Sequence, residues 1–598
     1  MRIIKVGGLL LGLLLAGGCA SHASKMEDAK NLMRYGEYSA AAQELNRVLE
    51  ADRNRLLREM ELGVLYQLQG EYETSLLHLE RADRLADELY TQSFSDLLLR
   101  STTNASMVTY RSNIVERVYI NYYKMFNYFY MAEQAESAEQ MHKLLDSARV
   151  EARRALILLD ENVFIEGDYE VAAEEKTSVL YQLQQIFAVL NGDVINPREL
   201  VFRDNAFTHY MIGSLFEKMG EKSSARVSYE RAARLYEQGY RKQYGLDEAV
   251  VSQAWLDAVR MMKETRVSSW RRVANSKLDK SSVAQLNRPA RGQGQLLVVQ
   301  EIDMVAPRGE LNLWASLAGN RLVIRPVLLG TPEEKAYQLA WFYYLYADKG
   351  LLGVVERISA DDYIGLLTSY HEKIIPVPDA VLQLLASLGA QEALTSPGIR
   401  LSVPMLYYEE QPIKHSKVHV NGKDSSMILA ENVSALGMAQ HLVAARSELI
   451  NAMAVETLRL SACAQVMSPS ICSLTLMAST SADTRSWLSL PYEVRINRQN
   501  LPAGKHQVRL LSSLNGSQLE QTAEVEIAAG ELKLLRLRTF AVDPQARLPQ
   551  AVARAREARL ASEAAALAAV QAEQEKKAQL LALETTDEQM LNDGEQNE

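Results

Sequence analysis

The sequence predicts a multidomain α plus β protein. An N-terminal α-helical solenoid leads into a β-rich α+β region that ends in a small antiparallel sandwich, and a C-terminal helix follows. Three observations predict this order. A helical pattern recurs at fixed spacing in the first half, apolar–polar alternation begins near residue 295, and the composition turns to Ala, Glu, Arg and Gln from 543.

The recurring pattern is specific. In RYGEYSAAAQELNRVLE, Gly36 and Tyr38 precede Ala41, Leu45 and Val48. In LGVLYQLQGEYETSLLHLERA, Gly70 and Tyr72 precede Ser75, Leu79 and Ala82, and the two sets superpose when shifted by 34 residues. A third copy, Ile212, Gly213, Phe216, Gly220, Ala225, Tyr229 and Ala232, matches Leu62, Gly63, Tyr66, Gly70, Ser75, Leu79 and Ala82 position for position. This is the period of the tetratricopeptide (TPR) repeat, a helix–turn–helix in which a small residue lets two helices approach and a glycine relieves the turn. A TPR-like solenoid is therefore expected over 28–267. Within it, Tyr119, Tyr122, Phe126 and Tyr130 share one helical face, either as an aromatic groove for a peptide or glycan or, the reading we prefer, as a buried helix. Ala148, Ala152 and Ala155 mark the helix after it, and the two form an irregular pair.

At 598 residues, 47% hydrophobic, the chain can bury several cores. Its net charge of −10 argues against general nucleic-acid binding, which needs basic surface. The N-terminus suggests a compartment. Arg2 and Lys5 precede an apolar run that ends in Ala16-Gly17-Gly18-Cys19, the layout of a bacterial lipoprotein signal peptide over 1–18. Cys19 would then carry acyl chains such as palmitate and anchor the mature chain in a membrane. Ala20 and Ser21, with no Asp after the cysteine, favour the outer membrane, facing the periplasm. Residues 19–27 read as a tether. In such an oxidising compartment Cys463 and Cys472 could close a disulfide, or stand as two buried thiols on separate elements.

Residues 268–294, rich in Ser, Gln and Gly with six basic residues, read as a linker. A mixed α+β domain is expected over 295–480. Its hairpin signals are Gly319-Asn320 and Asn421-Gly422, and 431–462 forms a long helix. An antiparallel sandwich portion covers 481–542, with a turn at Asn515-Gly516. An exposed Ala/Glu-rich helix spans 543–585, either alone or coiled with a partner, and the acidic tail 586–598 is expected to be disordered.

Several segments resemble a family of uncharacterised TPR-containing bacterial outer-membrane or periplasmic lipoproteins. The most specific is ADTRSWLSLPYEVRINRQNLPAGKHQV (482–508); others are ERVYINYYKMFNYF with VEARRA, NAFTHYMIGSLFEKMGE and GQLLVVQEIDMVAP. The resemblance covers roughly residues 110–540 and implies an envelope accessory factor, members of which can lie near genes for peptidoglycan-synthase activators. It carries over no catalytic residue. In this segment Asp483 and Arg485, two apart on a strand, would point the same way and pair. With Trp487 they would anchor the long helix to the final sandwich.

No HExxH, GxSxG, Walker A loop or paired metal ligands occur in the sequence, so no cofactor and no catalysis are expected. His415 and His419 would stand roughly 13 Å apart along a strand. Ser486, His506 and Asp483 could be drawn as a triad only by assuming proximity. The expectation is a lipid-anchored periplasmic scaffold that binds a protein partner in its concave helical surface, in envelope assembly or maintenance. The alternatives are an activator of a peptidoglycan-synthesising enzyme, with peptidoglycan contact, and, behind it, an envelope hydrolase.

Overall fold

The computed structural model describes residues 22–91, 108–164, 202–287, 292–345, 371–407 and 411–595. The signal peptide, Cys19 and the last three residues of the acidic tail lie outside them. The first half is helical: α1 (His22–Arg34), α2 (Tyr38–Val48), α3 (Arg55–Leu68), α4 (Tyr72–Thr91), α5 (Ile114–Glu133), α6 (Ala138–Phe164), α7 (Ala206–Lys218), α8 (Lys222–Leu235) and α9 (Ala249–Glu264). The pairs α1–α2, α3–α4, α5–α6 and α7–α8 pack together across short turns.

Three of these turns are built alike. Gly36, Gly70 and Gly220 have φ of +76°, +79° and +79°, a region closed to most side chains. In each, the following amide reaches back five residues: Glu37 N to Leu32 O at 2.9 Å, Glu71 N to Tyr66 O at 3.0 Å and Glu221 N to Phe216 O at 2.8 Å. This closure satisfies carbonyls that a helix C-terminus leaves free. The other small positions permit close helix approach. A Cβ on Gly63 would fall 2.5 Å from Leu79, and one on Gly213 would fall 2.9 Å from the Tyr229 ring. Ser75 Oγ donates to Gly63 O at 2.6 Å across the same gap. Ala41, Ala82, Ala225 and Ala232 are buried; Phe216 is buried, and Tyr38, Tyr66 and Tyr72 are half-buried.

The described part of the expected linker is structured. Its residues form α10 (Trp270–Lys277) and α11 (Lys280–Asn287), which pack on α9 through Val259, Met262, Ala274 and Leu286. The tether is likewise helical from His22, with His22 and Met26 buried.

Twelve described strands form three four-stranded sheets. The first has the order β12 (Leu532–Thr539), β1 (Gln293–Ile302), β9 (Glu493–Pro502), β8 (Ile428–Asn432), with β1 and β12 parallel. The second has β11 (Ser517–Ile527), β10 (Gly504–Leu514), β6 (Ile413–Val420), β7 (Lys423–Ser426). The third has β4 (Lys373–Pro376), β3 (Arg321–Val327), β2 (Arg308–Ala318), β5 (Ile399–Leu406). The hairpin turns stand where expected, with Asn421-Gly422 and Asn515-Gly516 all at positive φ. The sandwich does not divide at 481. Its two sheets meet through Leu296, Val298, Val418, Leu501, Val508 and Val525, so strands from both expected domains build it.

The third sheet, with α12 (Pro332–Leu345), α13 (Asp379–Ser387) and α14 (Gln391–Thr395), shares a core with the long helix α15 (Val433–Ala464). Cys463 and Cys472 form a disulfide, Cα to Cα 5.7 Å, between α15 and α16 (Pro469–Ser479). The last helix, α17 (Gln550–Glu595), runs through most of the tail expected to be disordered. Its first turn buries Ala551 and Val552, and every side chain from 557 to 578 is exposed.

The main core joins the helical half to one face of the first sheet. Leu297 and Val299 of β1 face the helices, while Leu296 and Val298 face the second sheet. Gly213→Val should therefore destabilise the chain by about 1–3 kcal/mol, because the Tyr229 ring it would meet is itself held by hydrogen bonds to Ser214 and Glu217. Thermal unfolding of the variant, with a clearly lowered midpoint, checks this.

Candidate functional site

A partner was expected on a concave helical surface. The helices instead share a core with the chain's own first sheet. From β9, Arg498 enters with a side chain 2% exposed and pairs with Glu217 at 2.7 Å and Asp257 at 3.2 Å. It also donates to Tyr229 Oη at 2.9 Å. Arg260 of α9 completes a cluster of two guanidiniums and two carboxylates, 3.0 Å from Asp257. Burial alone would raise the Glu217 carboxyl; Arg498 and Arg260 outweigh it and hold the group well below the usual range.

A second cluster lies beside it. Glu301 of β1 receives Arg536 at 2.8 Å and Arg538 at 3.2 Å. The Arg536 guanidinium lies over Tyr123 at 5.2 Å, Phe126 at 5.4 Å and Tyr122 at 5.7 Å. Of the aromatic stripe, Tyr119, Tyr122 and Phe126 are buried against the sheet and Tyr130 is half-buried, and Tyr123 and Phe129 off that face are buried as well. A hydrogen-bond chain ties the repeat to it: Ser75 Oγ accepts from Asn127 at 2.7 Å, and Asn127 Oδ1 accepts from Gln67 at 2.7 Å. Gln67 in turn accepts from Arg536.

The ADTRSW segment locks the two halves elsewhere. Asp483, Arg485 and Trp487 lie on an irregular stretch before β9, not on a strand, and the part they grip is the helical half. Arg485 donates to Asp483 at 2.6 Å and 2.7 Å. It also donates to Asn54 Oδ1 at 3.0 Å and Val108 O at 2.7 Å. Its guanidinium lies 5.5 Å from the Tyr110 ring. Trp487 is 1% exposed and its indole N–H reaches Ser489 at 2.9 Å. Glu61 of α3 accepts from the amides of Leu488 at 2.7 Å and Ser489 at 3.2 Å. The Asp483–Arg485 pair forms as the spacing suggests, but it stands off any strand and its partners are Asn54 and Val108 of the helical half rather than the long helix and the final sandwich.

Beside this lock is a small cleft of about 50 Å³. Glu116 of α5, Arg308 of β2, Gln440 and Ser434 of α15, and Ser486 line it. Ser434 Oγ already accepts from Ala306 N at 3.1 Å, and Glu116 from Tyr110 Oη at 2.6 Å. Ser486 Oγ is buried with no hydrogen-bond partner. Burial pushes Glu116 up and pushes Glu448, whose charge faces Arg308, up to about 7. The cleft offers a guanidinium, a carboxamide and a hydroxyl, a set suited to holding a small polar group.

The imagined triad is not assembled. His506 is held by Pro502 O at 2.7 Å and Asn421 Oδ1 at 3.2 Å. His419 pairs with Asp424 at 2.6 Å, while His415 is exposed. Among the described residues no three His, Cys, Asp or Glu side chains converge as metal ligands. Compared with protein-family models, curated proteins and solved structures, the chain finds no match.

Two outcomes follow from the buried charges. Arg485→Ala should cost about 3–5 kcal/mol in urea unfolding, since it leaves Asp483 and buried carbonyls without their donor. Burial pushes Glu61, Glu431 and Glu448 up to about 7 from an ordinary 4.5. Between these values the folded chain holds protons that the unfolded chain releases, so stability should fall as pH rises through that window. Glu61→Gln should flatten part of this slope in a series of thermal midpoints.

Proposed function

We propose that the chain is a lipid-anchored scaffold of a bacterial envelope, exposed to the periplasm at the outer membrane, that holds another protein. The three matched turns at Gly36, Gly70 and Gly220 support reading the helical half as a TPR-like array. Here the helices pack on the chain's own sheet, so the partner must meet an outer surface.

One observation carries this reading. Helix α17 has 46 residues and, at 1.5 Å per residue, extends about 70 Å. Among the described side chains only its start is held, by Ala551 and Val552 and by Arg556 and Arg559 on Glu37 at 3.1 Å and 3.2 Å. Beyond that, Leu560, Leu567 and Val570 are 59%, 61% and 52% exposed. The arm leaves beside α1, the first helix after the expected anchor. One end of the chain would then fix it to the membrane while the other reaches for a partner.

Crosslinking in intact cells, with and without residues 560–598, tests the proposal. Loss of a specific captured protein on removing the arm is expected. Capture of the same proteins in unchanged yield would overturn it.

A further inference from the structure

The disulfide lies at the tip of a helical hairpin that has its own surface chemistry. From Leu460 to Ala482 the chain runs 23 residues without Asp, Glu, Lys, Arg or His. At the chain's 23% charged content, about five charges would be usual over that length. Within this run the tip exposes large apolar side chains: Val466 is 84% exposed, Ile471 54%, Leu474 44% and Met467 43%. Cys472 is buried, and its bond to Cys463 holds the intervening turn in place from beneath. An apolar patch of this kind marks an interaction site.

We infer that this stapled tip dips into a lipid surface and gives the anchored protein a second point of membrane attachment. Two observations favour lipid as the occupant. A protein-docking patch is normally ringed by a polar, charged rim. Around the tip the polar residues Gln465, Ser468, Ser470 and Thr475 are uncharged, and the arginines that bond the hairpin, Arg400 on Met477 O at 3.1 Å and Arg459 on Ser479 at 2.9 Å, stand toward its base. The second observation is position. The His22 amide donates to Thr484 Oγ1 at 3.2 Å, five residues after α16 ends at Ser479. Cys19 is three residues earlier and can reach no farther than about 11 Å from His22. An acylated Cys19 would therefore enter the bilayer close to the segment that follows the hairpin. This inference rests on the anchored-scaffold reading for that second argument.

The test uses the full chain bound to vesicles of phosphatidylethanolamine and phosphatidylglycerol, with and without brominated acyl chains. Val466→Trp is the probe and Leu567→Trp, on the exposed arm, the control. Emission of the Val466→Trp probe, after subtracting the unsubstituted protein, should shift to the blue and fall about twofold with brominated lipid, while the control stays unquenched. Water-like, unquenched emission at Val466→Trp, or equal quenching of the control, would overturn the inference. Acylation is followed separately by incorporation of labelled palmitate, with Cys19→Ser as the reference. An acylated chain with an unquenched tip sinks the tip alone. A chain that takes up no palmitate yet shows a quenched tip sinks the anchor and supports the tip.

Discussion

The fold depends on a buried charge cluster where two halves of the chain meet. Arg498 comes from a strand, and Glu217, Asp257 and Arg260 come from the helices around it. Burying four charges gains little net stability over well-packed apolar groups, because desolvation offsets the attraction. What the cluster supplies is a single acceptable docking. A one-residue slip of β9 would turn Arg498 to the other face and leave Glu217 and Asp257 to share Arg260 alone, and the same slip of β12 would take Arg536 and Arg538 away from Glu301. The apolar contacts of Leu297, Val299, Val494 and Ile496 drive the halves together, and the ion pairs select the register.

This explains what could and could not be read from the residues. The helix–turn–helix turns were legible because their constraints are local: a left-handed turn needs glycine at Gly36, Gly70 and Gly220, and a close crossing needs Gly63 or Gly213. Strands were legible by alternation, and the Asn-Gly hairpins by their turn chemistry. The interface was not, because Arg498 finds Glu217 across 281 residues of chain. One signal was available. Arg498 continues the phase of Val494 and Ile496, and Arg536 and Arg538 continue that of Leu532 and Leu534, so each arginine stands where an inward apolar residue was due. The supposed linker failed for a related reason. Helix α10 buries only Ala274 fully, so its Ser, Arg and Lys content hides a packed helix.

The same geometry changes the functional argument. A helical array with an open hollow suggests capture of an extended peptide. Here Tyr229, a repeat position, donates its hydroxyl to Glu217 and accepts from Arg498, so the surface around it is committed. The ADTRSW segment adds a second clasp on Asn54 and Val108. Helices and sheets thus act as one body, from which the arm α17 and the stapled tip of α15 and α16 project. Function is sought on these projections.

Native-state hydrogen exchange on the whole chain tests the central claim most directly. If the array and the first sheet are one body, the most protected amides of α5 and of β1 should open together, with the same free energy and the same response to denaturant. Protection of β1 persisting while α5 exchanges through an independent, lower-energy opening would contradict the account.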